Sequence, residues 1–329
     1  MALGRFVLKR ALQGIVVVWG VVTVVFGLRF ITPGNPISVI APLDASPETR
    51  QAIARELGLN DPLYVQYLDY LLGLLQGDMG YSYISNTQAS AQVFARLPAT
   101  LELAVVATIV AVVISIPLGV LSATRRNEPA DYGATLFSLA GISTPNFWLG
   151  IMLVLVFAVQ LEIFKTSGRG PGFVSALSML VTQGSAAGLL SWLSYITLPA
   201  LALGTYFTAL ITRLTRSGML DELGSAYVKA VRAKGLPETL VRYKHALRNT
   251  LVPVITVLGL QLGTLIGGAV ITEAVFDWPG LGTLVITSIT ARDWPILQGS
   301  LVVIGVGFVL INIAVDTLYA YVNPQVVYE

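Results

Sequence analysis

An all-α helical bundle embedded in a bilayer is the fold this sequence predicts, and three observations predict it. Of its 329 residues, 55% are hydrophobic and only 12% are charged, and the mean hydropathy is +0.75. Soluble domains carry about 25% charged residues, so this chain has too little polar surface to face water all round. Uncharged apolar stretches recur at the length of about 20 residues that a helix needs to cross hydrocarbon. The basic residues, finally, gather on one side of those stretches. Length alone suggests two domains, but a bundle of long membrane helices of this size forms one unit. The net charge of +2 is small, so the distribution of charge carries the information, and nothing points to nucleic acid. With no cysteine and a single histidine, His245, disulfides, thiolate metal sites and cysteine nucleophiles are excluded and no metal cluster is readable.

The first span, about 11–30, follows Arg5, Lys9 and Arg10. Its uncharged run is too long for a signal-peptide core, and Arg29 and Phe30 follow it in place of a small-residue cleavage site. It reads as an uncleaved anchor rather than a removed signal peptide. Residues 32–97 then change texture, with Pro33, Pro36, Pro42 and Pro47 breaking the chain and acids interspersed with bases. "SPETRQAIARELGL" predicts a capped helix: Ser46 at the N-cap, Pro47 at the first helical position, Gly58 at the end. "DPLYVQYLDYLLGLL" restarts with Pro62 in the same role and is amphipathic. The segment reads as a small water-exposed helical insert between residues 1–31 and a five-helix core, 98–329. Within that core, spans are expected at about 98–123, 132–161, 191–214, 251–275 and 296–322, making six in all.

Pro117, Pro145 and Pro199 fall inside spans, where neighbouring helices re-satisfy the freed carbonyls. Gly259, Gly263, Gly267 and Gly268 predict close helix packing in the fifth span. With both termini in the cytoplasm, Arg5, Lys9, Arg10, Arg125, Arg126, Arg213, Arg216, Lys229, Arg232, Lys234, Arg242, Lys244 and Arg248 lie inside. Arg29, Arg50, Arg55, Arg96, Lys165, Arg169 and Arg292 lie outside. Four of those seven sit in or beside the long insert, where charge counts little, so the bias favours an N-in, C-in topology.

The segment 215–250, between the fourth and fifth spans, is too long and too regular for a plain connector. Leu220, Leu223, Tyr227 and Val231 fall on one helical face. "KGLP" interrupts, with Gly235 suited to a helix end and Pro237 to the first turn of the next helix. Leu236, Leu240, Tyr243 and Leu247 make a second apolar ridge, with Arg242, Lys244, His245 and Arg248 off it. Two short helices joined at Gly235 would make a rigid knob for a groove on a soluble partner. On pattern alone, an interfacial hairpin whose basic side binds anionic lipid fits equally well.

"AYVKAVRAKGL" followed by "HALRNTLVPVIT" resembles the signature loop of permease subunits of binding-protein-dependent ABC importers. The fixed glycine of that signature corresponds to Gly235, and its conserved alanine is met in part by Ala230. The departures at Lys229, His245 and Arg248 resemble the version found in dipeptide, oligopeptide and nickel permeases. "ITPGNPISVI", "ELGLNDPLYVQYLDYL", "GDMGYS", "RLPATLELA", "STPNFWLG", "LPALALG", "AVFDWPGLG", "RDWPILQG" and "DTLYAYVNPQ" are similar to blocks of that family in the same order. The long outer insert resembles the B-type member of a B/C permease pair.

The resemblance implies a type I importer fold and a division of labour. This chain and a homologous C-type permease line the path, two ABC ATPase subunits sit beneath, and an extracytoplasmic binding protein delivers the solute. ATP and Mg belong to the ATPases, and no cofactor is expected on this chain, in keeping with the lack of a GxxxxGK[ST] phosphate loop. By the same resemblance the loop around Gly235 transmits nucleotide-driven closure to the spans. Tyr227, Ala230, Lys234, Gly235, Leu236 and Leu240 are the expected coupling residues, with Gly235 supplying the turn, Lys234 a polar contact and the leucines an apolar ridge. The resemblance also implies the plasma membrane of a prokaryote as the setting.

Five polar residues stand in or at the ends of spans: Glu102, Asn146, Glu273, Asn312 and Asp316. One reading makes them a polar lining for a peptide path, with a carboxylate near a substrate amine. The favoured reading is a helix-end cap, a kink or an interhelical bond. An ion-coupled secondary transporter is the alternative class; it would show repeated halves and mid-membrane ionisable groups at broken helices. An intramembrane enzyme lacks a base at the right depth, since the one histidine falls in the loop.

Overall fold

The computed structural model describes residues 2–31, 37–41 and 44–322. The expectations for Pro33, Pro36 and Pro42, for part of "ITPGNPISVI" and for the chain beyond 322 lie outside the described residues. So does the packing expected of Gly267 and Gly268.

The described chain is helical, without a strand. Its elements are α1 (Ala2–Ile31), α2 (Ile37–Ile40), α3 (Pro47–Glu56), α4 (Leu63–Leu75), α5 (Ala89–Thr124), α6 (Pro129–Ser143) and α7 (Asn146–Leu153), which runs into a π-helical stretch, Val154–Gln160. They continue as α8 (Phe173–Gln183), α9 (Ala187–Gly224), α10 (Ala226–Ala233), α11 (Glu238–Leu240), a π-helical turn Val241–Ala246, α12 (Leu247–Val275), α13 (Leu281–Ala291) and α14 (Trp294–Val322). Among the described residues, four helices are long and apolar enough to cross a membrane: α1, α5, α9 and α14. A fifth such unit is the pair α6 and α7, and α12 adds a 29-residue helix to the same bundle.

Four expectations need correction. The stretch 132–161 is not one straight helix: it bends by 109° between Ser143 and Asn146. Pro145 there cannot donate a backbone hydrogen bond and pushes Thr144 out of helical geometry, to ψ 124°. The second span starts earlier than residue 98, because α5 begins at Ala89 and carries Pro98 in its interior. Helices α8 and α13 were not anticipated. In the insert, α3 is capped as expected, with Ser46 Oγ accepting from Thr49 N at 3.2 Å and Gly58 at φ +63°. Pro62 stands at the N-cap of α4 rather than inside it.

Contacts fix the running directions. Gly119 meets Thr215 and Gly204 meets Ala107, so α5 and α9 run parallel. Val25 meets Gln298 and Arg10 meets Asp316, so α1 and α14 are antiparallel. Gly259 abuts Val315 and Gly263 abuts Phe308, so α12 and α14 are antiparallel too. A Cβ at either glycine would overlap those side chains, which is the close packing the small residues permit. The main core joins α5, α9 and α12 through Leu103, Ile196, Leu203, Phe207, Ile211 and Leu265, all buried. One end of the bundle therefore gathers the starts of α1, α6 and α12 with the ends of α5, α9 and α14. The 225–246 turn lies at that end.

Candidate functional site

The turn between α9 and α12 is built from the backbone outward. Helix α9 stops at Gly224, and Ser225 Oγ donates to the Glu222 carbonyl at 2.6 Å, closing the last turn. Helix α10 is anchored by Val228, which is fully buried, and ends at Lys234. Gly235 then takes φ +76°, the left-handed region that a Cβ disfavours. Nothing lies within 4 Å of where its Cβ would be, so the demand for glycine is purely conformational.

Two polar clusters brace this turn. Tyr227 Oη donates to the Glu222 carboxylate, and Asn249 Nδ2 donates to Tyr227 Oη at 3.0 Å and to Glu222 Oε2 at 3.3 Å. That cluster ties α10 to the end of α9 and the start of α12. Burial first, and then the Glu222 carboxylate, push the Tyr227 phenol above its usual pKa. Across the glycine, Arg232 grips Glu238 with two bonds, of 3.1 and 2.8 Å, and Arg242 Nε adds a third at 3.1 Å. The guanidinium of Arg232, helped by that of Arg242, holds the Glu238 carboxyl below the ordinary range. Arg232 is raised in turn by its bond to Glu238.

The six expected coupling residues divide. Ala230, Lys234, Gly235 and Leu240 are exposed on the outer face of the turn. Leu236 is half-buried, and Tyr227 belongs to the staple behind the turn. The first predicted apolar ridge holds at Leu220 and Leu223, which pack with Leu247 against buried Val120, Ala123, Met219 and Ala246, while the second is displaced. The buried residues are Val228, Val241 and Ala246, while Leu240 and Tyr243 point outward. The cause is the π-helical turn Val241–Ala246, whose extra residue per turn rotates the face. The second short helix is also not separate, since that turn runs straight into α12.

The polar residues of the spans are engaged in structure. Glu102 accepts from Arg169 Nε at 3.0 Å, from Phe173 N at 3.2 Å and from Trp192 Nε1, pinning the 161–172 loop to α5 and α9. Glu273 is fully buried; it accepts from Thr100 Oγ1 at 2.6 Å and from Thr283 N at 3.1 Å, capping α13. Asp316 pairs with Arg10 at 3.2 Å, and Asn312 donates to the Phe308 carbonyl of its own helix at 2.8 Å. Asn146 is half-buried at the first position of α7, beside the bend. The partners of these residues lie on different elements: the 161–172 loop, α8 and α9 for Glu102, α5 and α13 for Glu273, and α1 for Asp316. Sequence reasoning missed the buried Asp131, which takes two bonds from Arg216 (2.6 and 2.9 Å) and one from Ser122 (2.6 Å). The only signal was an acid and a base near the ends of neighbouring spans.

An all-helical bundle with several apolar helices of membrane-spanning length is the architecture of a multi-pass membrane protein. The chain belongs to the family described as "Binding-protein-dependent transport system inner membrane component", which matches residues 115–328, and the family's N-terminal component matches residues 3–104. It is thus a multi-pass membrane component of such a system.

Among its relatives, the dipeptide transport system permease protein DppB of Alkalihalophilus pseudofirmus is 39% identical over 98% of this chain and 99% of its own length. The oligopeptide transport system permease protein AppB of Bacillus subtilis is 39% identical over 99% of this chain and 100% of its own. The glutathione transport system permease protein GsiC of Escherichia coli is 36% identical over 99% of both chains. The ion-coupled secondary transporter gains no support from these matches.

Proposed function

We propose that this chain is the B-type permease subunit of an ATP-driven importer for di- or oligopeptides, sitting in the plasma membrane of a prokaryote. It crosses six times with both termini inside, α6 and α7 together counting as one bent span. It divides into the anchor 1–31, the insert 32–97 and the core 98–329. A homologous C-type permease completes the path, an external binding protein delivers the peptide, and two ATPase subunits bind ATP and Mg. Hydrolysis belongs to those subunits, and this chain converts their closure into movement of its helices.

The observation that carries this reading is the turn at Gly235. Its outer face is exposed and carries Lys234, the Tyr227–Glu222–Asn249 cluster ties it to α9 and α12, and the Arg232–Glu238–Arg242 ion pairs brace it across the glycine. A push on such a turn reaches α9 and α12 without being absorbed by a loose loop. The coupling residues are Ala230, Lys234, Gly235, Leu236 and Leu240 on the contact side, with Tyr227 as the staple. Gly235→Val tests it. The variant should insert and assemble normally yet fail to link ATP hydrolysis to peptide uptake in proteoliposomes. Wild-type uptake by this variant would refute the coupling role.

A further inference from the structure

Helix α4 uses only part of its apolar surface inside the molecule. Tyr67, Tyr70, Leu71 and Leu74 face α1 and α14. Tyr67 Oη and Thr23 Oγ1 share a 2.6 Å hydrogen bond, and the Phe26 ring lies 5.2 Å from that of Tyr67 and 5.6 Å from that of Tyr70. Leu71 and Leu74 pack on the cluster of Val22, Val25 and Val302. Beside this row stands a second one, Tyr64, Leu68, Leu72 and Leu75, at helical spacing. Its members are 69%, 53%, 54% and 85% exposed. The remaining arc carries Val65, Gln66, Asp69 and Gly73, of which Asp69 is exposed, and Gln76 is exposed just past the helix end.

Helix α1 fixes how deep this second row lies. Arg10 and Arg29 bracket its apolar run and, at about 1.5 Å per residue, stand roughly 28 Å apart along the axis. That matches the roughly 30 Å thickness of a hydrocarbon core, so the two arginines mark its boundaries. On the same rise Thr23 lies roughly 9 Å inside the Arg29 level. Helix α14 agrees: Val302, which packs with Leu71 and Leu74, lies roughly 12 Å in from Trp294. The inner row of α4 therefore touches parts of α1 and α14 that are within hydrocarbon. On α1 itself, Val24 and Phe30 are likewise exposed apolar side chains.

We infer that α4 is a membrane-embedded helix that does not cross, and not a water-exposed part of the insert. It lies in the leaflet that holds the C-terminal end of α1. Tyr64, Leu68, Leu72 and Leu75 contact lipid acyl chains, while Asp69 and Gln76 turn to the headgroups. Apolar area removed from water drives this placement, as in interfacial amphipathic helices. The inference rests on α1 crossing the bilayer and not on the transport reading, so the two stand or fall separately.

The chain has no cysteine, which makes single labels unambiguous. Leu68→Cys, Leu72→Cys and Asp69→Cys would each carry a nitroxide, in the chain purified with its accompanying subunits and placed in phosphatidylethanolamine/phosphatidylglycerol nanodiscs. Collision with oxygen should exceed collision with a water-soluble nickel chelate several-fold at 68 and 72, with the order reversed at 69. A nickel-dominated signal at 72 would put the row in water, and low access to both probes would put a protein partner over it. Either result overturns the inference. The unmodified chain provides an independent check through a phosphatidylcholine bearing a diazirine in its acyl chain. Photolabel should appear on the peptide 63–75 as well as on α1, and label on α1 alone would also overturn it.

Discussion

Two glycine turns at opposite ends of the bundle use the same residue for opposite reasons. At the α10 end, Gly235 is required by its φ of +76°, and the space around it is empty. At the α12–α13 end, Gly280 and Gly282 have no room for a side chain. A Cβ on Gly280 would overlap the Glu273 carboxylate, and one on Gly282 would overlap the backbone of Val270. The second corner is also closed by Trp278, which is fully buried and donates from Nε1 to the Ala99 carbonyl at 2.9 Å. One turn is finished by the chain itself. The other is rigid behind and open in front, as a surface must be if another subunit is to press on it.

The largest effect that sharpens this contrast falls at the closed corner. Glu273→Ala would leave the buried Thr100 hydroxyl and the half-buried Thr283 N–H without their acceptor, at about 1–3 kcal/mol for each orphaned group. Thermal unfolding of the detergent-solubilised complex should show a loss of about 3 kcal/mol, and an unchanged midpoint would mean that the corner is not closed.

Next come matched alanines. Gly282→Ala overpacks against backbone and should cost about 1–3 kcal/mol of stability. Gly235→Ala meets no neighbour and should cost about 1–2 kcal/mol through its backbone alone. Its main readout is uptake per ATP hydrolysed, which should fall in complexes that remain folded at the assay temperature, whereas Gly282→Ala should leave that ratio unchanged. Equal stability losses with intact coupling would erase the distinction.

The smallest effect is on pH. The Glu238 carboxyl is held below its unfolded value of about 4.3, so its contribution is complete above that pH and is lost as pH falls through the lowered folded value. The protection of amides in the turn, taken relative to the intrinsic exchange rate at each pH, should hold down to about pH 4 and fall about twofold below it. Glu238→Gln should remove that step, at about 0.5 kcal/mol for so exposed a pair.

The apolar runs of α1, α5, α9, α12 and α14 were legible because burial in lipid leaves a long uninterrupted signature that local turns cannot mask. So were the cap at Ser46 and the turn at Gly235, where one residue's side chain or φ decides the geometry. The π-helical turn at Val241–Ala246 was not, since nothing in "VRYKHA" signals an extra residue per turn, and so Leu240 and Tyr243 were assigned to the wrong face. Helix α13 was hidden too, because its N-terminus is capped from α12 by Glu273 and from α5 by Thr100, residues distant in sequence. Pairs such as Asp131–Arg216 and Asp316–Arg10 depend on which spans become neighbours. A hydrophobic pattern does not encode that.

The central claim is that the face formed by Ala230 and Lys234 meets an ATPase subunit. A photoactivatable cross-linker on Ala230→Cys, the only cysteine in the chain, tests it in native membranes with mass identification of the product. The account predicts a cross-link to an ATP-binding subunit whose yield changes between ATP-bound and nucleotide-free states. Cross-links to lipid alone, with the ATPases present and the complex intact, would contradict it.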